Sequence, residues 1–297
     1  VPFVELASAP PLCVVARTMT TLPTVPFGPV DVTRLIIGGN PLCGNSHFDE
    51  TMSRQMREYH TAENVVATLQ ACQAAGINAV QARGDYHRVL HWMELFRREG
   101  GQLHWIAQTA SEMHDIPQNI RILAAAGAVG IYYHGSRTDR LWKAGQIDTV
   151  LEDLKCARDC GVQVGLGSHM PEVFEYVEDH GWDVDFYMTC LYNLSREDRE
   201  SALVGGDQAA AAREKFAAQD PPRMMQVIQG TEKTCLAFKI LAASRRCGSQ
   251  QEVADAFRYA FDNIKPGDAI VVGMYQEHLD QVSLNVEHTR AALRNPA

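Results

Sequence analysis

From Val32 onward the chain repeats one pattern, and few folds accommodate it: a short apolar run, a polar loop, an amphipathic segment, a glycine. The apolar runs lie at 34–38, 77–82, 103–108, 129–133, 162–166, 184–188, 234–239 and 269–272, each bounded by turn residues as a buried parallel strand would be. The segments between them carry helical spacing. Ala62, Val65, Val66, Leu69 and Cys72 recur at i, i+3, i+4 and i+7, as do Val253, Ala256, Phe257, Ala260 and Phe261. Gly76, Gly127, Gly161 and Gly181 stand just before a strand, where a left-handed helix stop fits. Ser249 with Glu252 forms a capping box, and Pro171 suits a first helical turn. Eight strands alternating with helices make an α/β protein whose sheet is either a closed barrel or an open doubly wound sheet. The first strand is followed by Gly38-Gly39-Asn40-Pro41-Leu42-Cys43-Gly44, which lacks the G-x-G-x-x-G spacing expected of the open sheet. A single (β/α)8 barrel is therefore expected, and its usual size of ~250 residues fits the 297 residues present.

Two stretches depart from the repeat. Residues 1–30 carry six prolines, too many for regular structure, and read as an extended arm on the barrel, itself spanning 31–297. Residues 194–220, after the sixth strand, contain charged residues and the run Ala209–Ala212, and read as an insertion over the barrel mouth, either a lid or a homo-oligomer contact. The balance of 36 acidic against 27 basic residues, a formal charge of -9, argues against nucleic acid as a partner. No apolar run reaches the ~20 residues of a membrane span. The eight cysteines form no C-x-x-C and sit mostly in apolar segments, so reduced thiols and a cytoplasmic location are expected. The first residues also lack the basic and apolar regions of a signal peptide, although the chain does not begin with Met.

Chemistry in such barrels comes from the C-terminal strand ends and the loops after them. Those positions supply Asn40 and His47 after the first strand, then Arg83, Asp85, Tyr86 and His87 after the second. Gln108 ends the third strand, His134 the fourth, His169 follows the fifth, Tyr187 and Asn193 belong to the sixth, and Lys239 closes the seventh. Imidazole is both the usual acid–base group near neutral pH and the commonest transition-metal ligand. His134 and His169, on neighbouring strands, are expected to bind zinc, manganese or iron with Asp85 or His87, or else to orient substrate without metal. Lys239 ends the apolar run Cys235-Leu236-Ala237-Phe238 and can act as a Schiff-base amine, a base or a fixed charge. Tyr86 and Asp85 join His134 and Lys239 as candidate catalytic groups. Asn40, His47, Arg83, His87, Gln108, Tyr187 and Asn193 are candidates for holding the substrate.

Three stretches resemble the aldo/keto reductase superfamily. Gly76-Ile77-Asn78-Ala79-Val80-Gln81-Ala82-Arg83-Gly84-Asp85-Tyr86 is similar to its second-strand motif, and Ile131-Tyr132-Tyr133-His134 to its fourth strand. Ile270-Val271-Val272-Gly273, with Glu277 to Gln281 and Asn285, is similar to the segment that grips a nicotinamide dinucleotide phosphate. The resemblance implies a barrel fold, Tyr86 and His134 in the active site, and NADP as the cofactor of a reductase alternative. The family's aspartate position holds Gln81 and its lysine position Gln108 or Thr109. Without that lysine a tyrosine keeps its ordinary pKa of ~10 and is a poor acid at neutral pH.

The leading expectation is thus a non-redox enzyme that abstracts a proton next to a carbonyl in a small polyhydroxylated compound, a sugar or sugar acid, as a lyase, isomerase or epimerase. A mouth rich in His, Asn, Gln, Arg and Tyr suits a small polar ligand. The alternatives are a divergent NADP-dependent reductase and a non-catalytic ligand-binding barrel.

Overall fold

The computed structural model describes residues 21–85, 88–197 and 214–294. Residues 1–20 of the N-terminal arm, Tyr86, His87 and the alanine run of the insertion lie outside them.

Two strands precede the barrel, β1 (Thr24–Phe27) and β2 (Val30–Thr33), an antiparallel pair in which Thr24 faces Thr33 and Phe27 faces Val30. Regular structure therefore begins inside the proline-rich segment. Pro26 faces Asp31, one pair beyond the pair that closes the two-residue turn. That is a non-hydrogen-bonded position, where the missing N–H is not needed. Gly28 makes the turn with φ +57°.

The barrel strands are β3 (Leu35–Gly38), β4 (Ala79–Arg83), β5 (His104–Gln108), β6 (Ala128–Tyr133), β7 (Gln163–Ser168), β8 (Phe186–Cys190), β9 (Thr234–Phe238) and β10 (Ala269–Gly273). They follow one another around a closed parallel sheet, and β10 pairs with β3 through Ile270–Leu35 to Gly273–Gly38. The single (β/α)8 barrel read from the sequence is the fold. Helices α1 (Glu50–Tyr59) and α2 (Ala62–Ala74) follow β3, and α3 (Val89–Arg98), α4 (Ile116–Ala125) and α5 (Gly135–Lys143) follow β4, β5 and β6. A second helix, α6 (Val150–Asp159), lies between α5 and β7. Then come α7 (Pro171–Asp179), α8 (Asp220–Gly230), α9 (Gln250–Asn263) and α10 (Gln281–Arg294). Ser249 caps α9 by accepting from Glu252 N, and Pro171 occupies the first turn of α7. The four glycines before strands take φ values from +61° to +93°. No helix among the described residues is long and apolar enough to cross a membrane.

Strand alternation divides the apolar residues into two cores. Leu35, Ile37, Val80, Trp105, Val164 and Cys235 face the helices. Ile36, Ala79, Ile106, Tyr132, Phe186, Met188, Leu236 and Val271 fill the barrel, together with Val25, Phe27 and Val32 of the hairpin. The hairpin thus plugs the N-terminal end. The Phe27 ring meets Phe186 edge-on at 4.8 Å, in space left by Gly130, where a Cβ would stand 2.8 Å from Phe27 Cε1. With that end closed, the polar residues gather at the other.

Candidate functional site

The inward alternation of β6 and β7 carries His134 and His169 to the mouth, on adjacent strands, as the sequence implied. Both are buried. His134 N donates to Thr109 Oγ1 at 3.0 Å, and its carbonyl starts α5 by accepting from Arg137 and Thr138. His169 has a more specific partner. Its Nδ1–H donates to Asp139 Oδ2 at 2.6 Å, and its backbone N–H donates to Asp139 Oδ1 at 3.2 Å. Ser168 Oγ and Ser195 Oγ each donate to the same carboxylate at 2.5 Å. Burial pushes the Asp139 carboxyl up, but the charge of His169 and the hydrogen bonds from His169, Ser168 and Ser195 outweigh it and hold the group below its ordinary range. A carboxylate fixed on Nδ1 sets the ring orientation and leaves Nε2 as the working nitrogen. Nothing in the sequence singled out Asp139, Ser168 or Ser195. Asp139 lies on the first helical turns after His134, within a charged run that reads locally as a solvated face.

Below the histidines, Gln81 Nε2 donates to the Tyr132 hydroxyl at 2.8 Å, and Gln108 hydrogen-bonds the same phenol. Burial drives that phenol far above its ordinary pKa, so it stays neutral. Gln81 and Gln108, at the positions compared with the aspartate and lysine of the reductases, are thus spent on one buried tyrosine.

Arg83 and Asp85, the described members of the second-strand group, have local roles. Asp85 Oδ1 accepts from Arg88 N at 3.0 Å and Val89 N at 3.3 Å, which caps α3, while Oδ2 lies 3.8 Å from Arg83 Nε. Arg83 also pairs with Glu112. Asp85 is thus held at the N-terminus of α3 and beside Arg83. Among the described residues no three His, Cys, Asp or Glu side chains converge to hold a metal ion. Tyr187, expected to hold substrate, points out of the barrel instead: it packs on Phe174 and donates to Glu178 Oε1 at 2.7 Å. Asn193 shapes its own loop, its Oδ1 accepting from Ser195 N and its N–H donating to Asp220 Oδ2.

The remaining candidates surround a cavity of about 430 Å³. It runs from Gln81 past Asn40, Asn45, His47, Phe238 and Lys239 to the first turns of α9 and α10. Met52, Met56, Val253 and Leu284 form its apolar side. Glu214, on the connection after β8, meets this wall: its Oε1 accepts from His47 Nδ1 at 3.0 Å and its Oε2 lies 3.6 Å from Lys239 Nζ. The backbone is strained here. The five non-glycine residues with left-handed φ among those described are His47 (54°), Lys239 (61°), Ala242 (49°), Ala243 (48°) and Ser244 (69°). All but Ala242 line the cavity, and residues so strained cluster at functional sites. The His169 ring packs edge-on at 6.0 Å against Phe238, which lines the cavity, so the histidine–aspartate pair adjoins it.

No protein-family model and no curated protein matches the chain. Among solved structures it is similar to a truncated form of 3-deoxy-D-arabino-heptulosonate 7-phosphate synthase from Thermotoga maritima, with 14% identity, 92% of each chain covered and a TM-score of 0.51. It is also similar to QR15, an aldolase (11% identity, 79% of this chain and 90% of that one, TM-score 0.47). A third is the N-acetylmannosamine-6-phosphate 2-epimerase of Clostridium perfringens (12% identity, 72% of this chain and 80% of that one, TM-score 0.45). The first of these is a synthase and not an aldo/keto reductase, and the resemblance to that family is corrected accordingly: what the chain shares with it is the barrel fold.

Proposed function

We propose that this barrel is a non-redox enzyme that moves a proton at the carbon next to a carbonyl, in a small polyhydroxylated compound held at the mouth. The observation that carries this reading is the His169–Asp139 pair, a buried imidazole whose Nδ1–H is fixed by a carboxylate that itself accepts from two serine hydroxyls. That arrangement suits a general base working through Nε2, worth about 10²–10⁴ in rate. The amides of Asn40 and Asn45 in the cavity suit hydroxyl groups, and its volume lies in the range of small-ligand sites, roughly 300–1,000 Å³. Elimination, isomerisation and epimerisation all begin with this proton abstraction.

The test is solvent exchange. The protein is incubated in D2O with a panel of aldoses, ketoses and sugar acids, and deuterium next to the carbonyl is read by NMR. Exchange is expected in at least one compound, slowed about 10²–10⁴-fold by His169→Gln. Undiminished exchange in that variant removes His169 as the base; no exchange across the panel removes the proton-transfer reading.

A further inference from the structure

In a chain with formal charge -9, the wall of the mouth cavity has an unexpected charge pattern. Among the described residues it contains no aspartate or glutamate, and its basic groups are Lys239 and His47. The Lys239 side chain is only 7% exposed. An ammonium so removed from water requires an anion nearby. The anion in place is Glu214, itself 3% exposed, which does not belong to the wall but approaches from the connection after β8. Its two carboxylate oxygens are divided between the two basic groups, one to His47 and one to Lys239. Arg245 lies 4.1 Å over the Phe216 ring and 5.3 Å over that of Phe48, and holds the His47 carbonyl through Nη1 at 2.9 Å. The left-handed residues from Lys239 to Ser244 fix the same rim.

We propose that Lys239 and His47 form a carboxylate-binding subsite for a polyhydroxy acid, and that Glu214 occupies it as an internal competitor when no ligand is bound. The bound group is a carboxylate because the side chain already seated there is one, with one oxygen for each basic partner. Lys239 then serves as a fixed charge rather than as a Schiff-base amine. The subsite rests on the proton-transfer reading only for the presence of a carbonyl; the acidic group follows from the cavity itself.

An internal competitor lowers apparent affinity by the fraction of molecules it leaves open, so removing its charge tightens binding. The test is titration calorimetry with D-gluconate and a panel of four- to six-carbon polyhydroxy acids, using glucitol and inorganic phosphate as comparisons. The protein is the full chain, as wild type, Glu214→Gln, Lys239→Met and His47→Asn, with folding checked by circular dichroism. At least one acid is expected to bind wild type, to bind Glu214→Gln about tenfold more tightly, and to lose binding in Lys239→Met, while glucitol does not discriminate among the variants. If Lys239→Met does not fold, the comparison of Glu214→Gln with wild type decides, supported by weakened acid binding in His47→Asn. The proposal is overturned if Glu214→Gln binds acids no better than wild type, if no acid binds either protein, or if phosphate binds through Lys239 and no acid does. Acid binding without deuterium exchange leaves the subsite standing and removes the proposed reaction. Exchange confined to neutral sugars does the reverse.

Discussion

Asp139 shows two opposing forces acting on a single carboxyl. Burial favours the neutral acid, while His169 and two serine hydroxyls favour the carboxylate, and the second set prevails. Because the folded pKa lies below the ordinary 3.8, the stabilisation is fully present above that value and is lost as pH falls through the folded pKa. Asp139→Asn breaks a buried pair and is expected to cost about 3–5 kcal/mol at pH 7, read by urea unfolding. The gap from wild type should narrow below about pH 4; a gap that stays constant in acid would show that the carboxylate's charge is not what stabilises the fold. The thiols make a second residue-scale case. Burial pushes Cys43 up to about 11 and Cys72 and Cys235 up to about 12, so hardly any thiolate exists at pH 8. Peptide mapping after treatment of the native protein with a thiol reagent at that pH is expected to find these three unmodified, whereas Cys247, exposed at the cavity rim, reacts.

At the scale of elements, the hairpin and β6 are matched in shape: Phe27 occupies the volume that Gly130 leaves open. Gly130→Ala forces overpacking and is expected to destabilise by about 1–3 kcal/mol, while Phe27→Ala opens a cavity costing about 3–5 kcal/mol. The double variant should lose less than the sum by about 0.5–3 kcal/mol, because the added methyl enters the space vacated by the ring. Strict additivity in denaturant unfolding would mean that the plug and the strand do not share that volume. The same hairpin shows a limit of reading composition. Six prolines in thirty residues suggest an arm without regular structure, yet Pro26 occupies a strand position that needs no N–H.

For the whole molecule, stability depends on closure. β10 joins β3 across almost the full length of the chain, and Ile270 N donates to Arg34 O at 2.8 Å. A chain ending at Asn263 lacks β10 and α10, exposing the edges of β3 and β9 and the apolar faces beneath them. It is expected to aggregate and to show no cooperative unfolding transition. A sharp calorimetric transition in that fragment would refute closure as the requirement.

Local order was written in the chain. Strand and helix periods, the helix-stop glycines and the Ser249–Glu252 cap depend on neighbours a few residues apart, and they placed all eight strands to within one or two residues. Because barrel chemistry gathers where strands end, the same local reading also brought His134, His169 and Lys239 to the mouth. Partners were decided by the tertiary structure alone. Asp139 meets Ser195 across 56 residues and Glu214 meets His47 across 167, separations at which no periodicity relates one residue to the other. It also set the direction of Tyr187, turned toward α7, and the role of Asp85, which caps α3. The physical reason is one of range: backbone preference and hydrophobic period act over a single turn or strand, whereas the pairing of buried charges is resolved only when closure of the barrel removes them from water.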